Sequence, residues 1–493
     1  MRFWKSALLA AALALSTSSL AMAARTDLVV GIVLEPPHLD PTAGAAAAID
    51  EVVYTNLFEG LIRIGPKGDV QPALAESWAI SEDGKTYTFK LRTGAKFHDG
   101  TDFNADDVKF SLDRARADDS TNAQKPLFAA IDTVEIIDPA TVKVTLKHPQ
   151  GDFLYNMGWG DAVIVASETA GTNKEKPVGT GPFKLDNWAK GSQIVLVKNP
   201  DYWGAAVALE KVTFRVIPDP AAATAAMLAG DVQAFPVFPA PEAIPQFEMD
   251  PRFKVVIGST EGETILSMNN KKPPYDNLKV RQAISHAIDR KTVIDGAMFG
   301  LGTPIGTFFP PHNPAYLDLT GQSAYDPELA KKLLTEAGHP NGFKTTLKLP
   351  PPTYARRGGE IIAAQLRAVG IQASITPLEW PQWLEQVFKG KDYDLTVISH
   401  TEPNDINIFG RDDYYIGYQS PAFKDVMAEL DATADQEKRS ELYKKAEKIL
   451  ADDAPVAFLF QLPKTGVWDA KLEGLWENGP IQANDLTAVK WND

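Results

Sequence analysis

Two acids stand close together just past an apolar run. In "LTVISHTEPNDINIF" (395–409), Leu395, Val397 and Ile398 suit a buried strand end, and Glu402 and Asp405 follow before Ile408 and Phe409 return the chain to apolar packing. Paired carboxylates can serve as general acid and base, as in glycoside hydrolysis. They can also hold a metal, receive a cationic ligand, or make a solvated turn. The spacing alone leaves all four open.

Other chemistry is thin. The chain has no G-x-S-x-G, no G-x-x-x-x-G-K-[ST], no G-x-G-x-x-G and no H-E-x-x-H. "PVGTGPFK" (177–184) lacks phosphate-loop spacing and reads as a turn leading into a strand. The histidines at 38, 98, 148, 286, 312, 339 and 400 never stand three to five residues apart, so no local metal constellation appears. His98 in "FHDG" reads as a hydrogen-bonded turn residue and His286 as part of helix packing. No second constellation supports Glu402 and Asp405 as catalysts, so the chain is not expected to be an enzyme. No cofactor is implied.

The elements that must position these acids alternate. Around them the pattern predicts strands at 344–349, 371–376 and 393–398, and helices at 279–298, 360–369 and 436–453. Such alternation indicates an open α/β domain, whose ligands sit beyond the strand ends. Earlier in the chain, Tyr87, Phe89 and Leu91 alternate with polar residues after an Asp83-Gly84 turn, which predicts a hairpin with one buried face. Asn104 is placed to cap a helix whose inner face is Val108, Leu112 and Ala115, and Asp138-Pro139 turns a second hairpin.

Composition narrows the classes further. Arg2 and Lys5 precede an apolar run to about Leu20 that ends in "AMA" (21–23), the pattern of a secretory signal peptide over 1–23. With those two positive charges removed, the formal charge of −15 becomes −17. That balance argues against a nucleic-acid partner. There is no cysteine, which excludes disulfides, thiol nucleophiles and a lipid-modified anchor. The expected product is a freely diffusing periplasmic protein, most simply a monomer.

Several blocks resemble the periplasmic solute-binding proteins of family 5, the peptide-, dipeptide- and nickel-type receptors of ABC importers. They are the stretch 57–115 beginning "LFEGLIRIGPKGDVQPALAESW", "VGTGPFKLDNWAKGSQIVLVKNPDYWG" (178–204), "PPYDNLKVRQAISHAIDRKTVID" (273–295), "DYDLTVISH" (392–400) and "SPAFKDVMAEL" (420–430). The resemblance covers nearly the whole mature chain in order. It implies an α/β, two-lobed periplasmic binding protein fold (type II, cluster C) with an extra subdomain in the first lobe. Here lobe I would be 24–56, 175–265 and 470–493, the subdomain 57–174, and lobe II 266–469.

The resemblance also implies a function and a site. A small-molecule or peptide ligand would be enclosed by hinge closure and delivered to an inner-membrane ABC permease. In the family's peptide binders an aspartate seven residues before a phenylalanine takes the ligand's terminal ammonium; the matching position before Phe409 is Glu402. The family's Arg-Arg before a helix is similar to Arg356-Arg357, and its aromatic cleft block to Trp380 and Trp383 in "LEWPQWLEQV". Asp405 joins these as a candidate ligand contact. "SHTEPNDIN" departs from the glycine- and aspartate-rich sequence of dipeptide binders, so an opine, another amino-acid conjugate, a cationic metabolite or a metal chelate stays open as the solute. A secreted hydrolase, a chaperone and a sensor are the competing classes.

Overall fold

The computed structural model describes residues 25–44, 46–402, 405–433 and 435–492. The stretch read as a signal peptide lies outside the described residues.

A seven-stranded sheet is built around Asp27–Ile32, which pairs in parallel with Lys211–Val216 on one side and Ala234–Phe235 on the other. Gln193–Lys198 and Phe183–Ala189 extend it antiparallel at one end, Lys464–Asp469 and Phe253–Gly258 at the other. The second sheet has six strands in the order Thr303–Pro304, Val456–Gln461, Glu263–Met268, Leu395–His400, Lys344–Leu349 and Gln372–Pro377. Both of its faces are covered. Leu266, Leu395 and Val397 pack against the helices Leu278–His286, Arg290–Met298 and Thr353–Ala368. Ile265, Ile398 and Phe458 face the other way, toward Pro421–Asp431 and Gln436–Asp453. Strands buried on two faces read as continuous apolar runs, which is how "FLF" and "TVI" appear in the sequence.

The expected hairpins form a separate four-stranded sheet, Ala75–Ile80, Thr86–Leu91, Thr141–Leu146 and Ile131–Asp138. Tyr87, Phe89, Leu91, Val142, Val144 and Leu146 are buried on its inner face. The helix Ala105–Arg116 covers that face with Val108 and Leu112 and starts at a capping box in which Asn104 accepts from the Asp106 backbone and Asp107 accepts from the Asn104 backbone.

The chain passes between the seven- and six-stranded sheets twice, through 259–262 and through 462–463. The two crossovers touch: Gln461 Nε2 donates to the Thr260 carbonyl at 2.8 Å, and Leu462 N to the Gly262 carbonyl at 2.7 Å. These crossovers lie a few residues before the 265/266 and 469/470 divisions drawn from the sequence. Glu263–Met268 and Val456–Gln461 are buried at every position, so no alternation marks where either strand enters its sheet.

Two local readings need correction. The helix expected over 279–298 is two helices, Leu278–His286 and Arg290–Met298, with Asp289 capping the second by accepting from Lys291 N at 3.1 Å. The helix expected at 360–369 begins at Thr353. Its Gly358 and Gly359 are buried, and a Cβ at Gly359 would lie 2.5 Å from the Leu349 side chain, so glycine here allows close helix–sheet packing. His286 sits at a helix end, its Nδ1 2.7 Å from the Ala324 carbonyl oxygen.

The loop "PVGTGPFK" leads into Phe183–Ala189 and packs on backbone: a Cβ at Gly179 would lie 2.0 Å from the Leu57 carbonyl oxygen. His98 braces it, accepting from Gly179 N at 3.2 Å with its other nitrogen 3.0 Å from the Gly181 oxygen. Burial holds His98 neutral, with its pKa lowered to about 4.

Candidate functional site

The two sheets and the subdomain wall a cavity of about 270 Å³. The first lobe contributes Ile32, Ala47, Glu51, Val237 and Phe238, the subdomain Ala123 and Gln124, and the second lobe Tyr354, Trp380, Trp383, Phe388, Glu402, Asp405, Arg411 and Tyr414. The wall is mostly apolar and aromatic with a few charged groups, the usual make-up of a small-solute site. Contacts across the cleft hold the lobes together. Gln482 Nε2 donates to Thr401 Oγ1 at 2.7 Å, Arg411 Nη2 to Gln124 Oε1 at 3.2 Å, and Arg357 Nη2 lies 3.0 Å from Glu242 Oε1. Tyr443 and Arg439 both reach Asp152 in the subdomain.

Glu402 follows the end of Leu395–His400, as the strand-end reading expects. Its carboxylate accepts from Thr401 N at 3.1 Å, and among the described residues no Lys or Arg is within ion-pair distance of it. His400 Nδ1 is 3.9 Å away, but burial lowers the His400 pKa to about 4 and leaves that ring neutral. The Glu402 side chain keeps 28% of its surface open and lines the cavity. Burial raises its pKa, offset in part by backbone donors and Arg411.

Asp405 also lines the cavity but is paired, with Oδ1 2.6 Å from Arg411 Nη2. Burial pushes its pKa up to about 6 against the pull of Arg411. A smaller chamber of about 30 Å³ adjoins, bounded by Asp50, Trp159, Asp161 and Gln482 and sharing Glu402 and Gln124 with the main cavity. Burial raises the pKa of Asp50 and of Asp161; Asp50 also feels the charges of Asp161 and Glu402, and Asp161 those of Glu402 and Asp405.

Trp380 and Trp383 stack with ring centroids 5.2 Å apart and planes 8° from parallel. Both line the cavity; Trp383 is the inner one, 3% exposed, its Nε1 donating to Thr396 Oγ1 at 3.0 Å. Arg356 and Arg357 are not among the lining residues. Arg356 Nη2 lies 3.1 Å from Glu379 Oε1 and donates to the Leu378 carbonyl at 3.2 Å, while Arg357 meets Glu242 and the face of Phe299. Helix Thr353–Ala368 turns them away because its buried side, Ala355, Gly358, Gly359 and Ile362, is held against the sheet. Arg411, Gln124, Tyr354, Tyr414 and Glu51 escaped the sequence reading. Arg411 lay in "GRDDYY", a charged run that reads as solvated surface.

Among the described residues no group of three or more His, Cys, Asp or Glu side chains is placed to hold a metal ion. No helix there is long and apolar enough to cross a membrane.

Two lobes of α/β structure joined by paired crossovers and enclosing a cavity define the class of two-lobed binding proteins. The chain belongs to the bacterial extracellular solute-binding proteins of family 5, whose middle-region description matches residues 69–451. It is 32% identical over 470 residues to the dipeptide-binding protein of Escherichia coli K12, covering 86% of each chain. It is 32% identical over 484 residues to the glutathione-binding protein GsiB of Shigella flexneri, covering 93% of each. Its fold superposes on the ABC transporter-associated periplasmic binding protein DppA of Helicobacter pylori, in complex with the peptide STSA, with a TM-score of 0.88 and 29% identity over 95% of this chain and 99% of that one. The fold is thus that of the cluster C peptide-binding proteins. The protein is an ABC transporter substrate-binding protein, of a family of binding proteins and not of enzymes.

Proposed function

We propose that the protein captures a peptide-like solute in the periplasm by closing its lobes and delivers it to an inner-membrane ABC permease, with Glu402 receiving the solute's positive end. The observation that carries this is a carboxylate with no Lys or Arg at ion-pair distance among the described residues, lining a cavity whose wall comes from both lobes. A desolvated ammonium requires such an acceptor. Trp380, Phe388, Tyr354 and Tyr414 supply apolar cover that accepts varied side chains. Asp405 serves by holding Arg411 and the subdomain's Gln124, and Arg356 and Arg357 stay outside the site.

Closure explains capture and release together, because contacts made by both lobes exist only in the closed state. The expected secretion signal, residues 1–23, accords with periplasmic residence. Binding should raise the melting temperature by linkage, about 2.7 kcal/mol of stabilisation at a hundred times Kd, and small-angle scattering should show a more compact particle. A solute that binds tightly without compaction would refute capture by closure.

A further inference from the structure

The charges facing the cavity do not balance. Three carboxylates line it, those of Glu51, Glu402 and Asp405, and among the described residues the one cation in the lining is Arg411. Asp405 takes that cation at 2.6 Å. Glu51 is opposed from outside the lining by Lys464, whose charge pulls the Glu51 pKa down against burial and whose ammonium, with pKa lowered to about 8 by burial, donates to the Asn478 carbonyl 3.5 Å away. Behind Glu402 lie two more acids, Asp50 and Asp161. Arg356 and Arg357, the arginines the family resemblance offers to a ligand carboxylate, are engaged with Glu379 and Glu242 outside the cavity.

A free carboxylate entering this space would lose its hydration, meet no unpaired cation in the lining and lie near the Glu402 carboxylate. Burial of an ion without a partner costs several kcal/mol. An ammonium entering the same space finds Glu402 unpaired. An uncharged body, by contrast, meets proline, valine and aromatic walls without penalty.

We propose that the solute is a net cation with no free carboxylate: a primary amine facing Glu402, and an uncharged, largely apolar remainder whose far end is an amide, an ester or hydrocarbon. This rests on the reading of the cavity as the solute site and of Glu402 as the ammonium receptor. It goes further in rejecting the ordinary zwitterionic dipeptide, whose carboxyl end has no receptor here. Specificity then comes from what the cavity lacks as much as from what it offers.

The test uses three matched pools of X-Phe dipeptides: free acids, C-terminal amides, and N-acetylated amides. Each is added to the intact protein, freed of retained solute by dialysis, and followed by thermal shift and then calorimetry at pH 7.5. The amide pool should give the largest shift, its best member binding at least about tenfold tighter than the matching free acid. In Glu402→Gln the advantage of the free amine over its acetylated counterpart should vanish, while the preference for amide over free acid remains. Free acids binding as tightly as amides, or more tightly, would overturn the inference and leave the receptor function standing. Acetylated amides binding as well as free amines would overturn the role of Glu402 itself. No shift with any pool would overturn both.

Discussion

Arg411 Nη2 lies 2.6 Å from Asp405 Oδ1 and 3.2 Å from Gln124 Oε1, so one guanidinium neutralises one of the two acids past the strand and ties the second lobe to the subdomain. The Asp405 side chain is 5% exposed and that of Arg411 14%. Asp405→Asn should therefore strand a buried cation and lower unfolding stability by about 3–5 kcal/mol. Replacing both residues by apolar ones of similar size should recover most of that loss. Denaturant unfolding of the single and double variants measures it; additive losses would show that the pair is not coupled.

Arg356 and Arg357 are each about two-fifths exposed and engaged with acids outside the cavity. Exposed pairs of this kind contribute about 0.2–1 kcal/mol. Arg356→Ala and Arg357→Ala should each change solute affinity by less than about fivefold. A hundredfold loss for either, measured by calorimetry, would mean that the arginine reaches the solute after all.

Binding should strengthen as pH rises. Burial holds the Glu402 pKa above the usual carboxylate range, and only its ionised form pairs with an ammonium. The groups around it act in the same sense or not at all: Asp50 and Asp161 also have raised pKa values, His400 is neutral above about 4, and Arg411 stays charged. A bound cation pulls the Glu402 pKa down, so a proton is released on binding. Affinity at pH 5 should fall below that at pH 7.5. Titration in buffers of different ionisation heat should detect the released proton, and Glu402→Gln should flatten the profile.

Stability has its own buried acid. Glu447 is fully buried, its Oε1 accepting from Phe309 N at 3.2 Å, and burial pushes its pKa up to about 8. A folded pKa above the unfolded value of about 4.3 means that stability is fully present below the unfolded pKa and is lost as pH rises toward 8. Glu447→Gln keeps the shape of the neutral acid. Its melting temperature should decline less between pH 5 and pH 8 than that of the wild type. Equal slopes would show that Glu447 is already ionised at pH 5.

What the sequence disclosed follows from locality. Helix Gln436–Asp453 and strand Lys344–Leu349 match their expected ranges, because period and flanking residues mark both. The break at 287–289 was hidden because Val280, Ile284, Val293 and Ile294 pack into one core on both sides of it, so the apolar stripe runs on through the break. Glu402 was legible as a polar residue beyond an apolar strand. The partnership of Arg411 with Gln124 was not, since the two are 287 positions apart and neither sits in a recognisable motif. The outward turn of Arg356 and Arg357 depends on which side of their helix meets the sheet, and the sequence placed the helix start after them, at 360.

The most direct measurement is calorimetric titration of wild type and Glu402→Gln with the dipeptide amide that gives the largest thermal shift. Removing the charge of an acid that holds a buried ammonium costs about 2–5 kcal/mol, roughly 30- to several-thousand-fold in affinity. The account predicts a loss of that size, with the melting temperature of the unliganded variant close to that of the wild type. Equal affinity for the two proteins would contradict it.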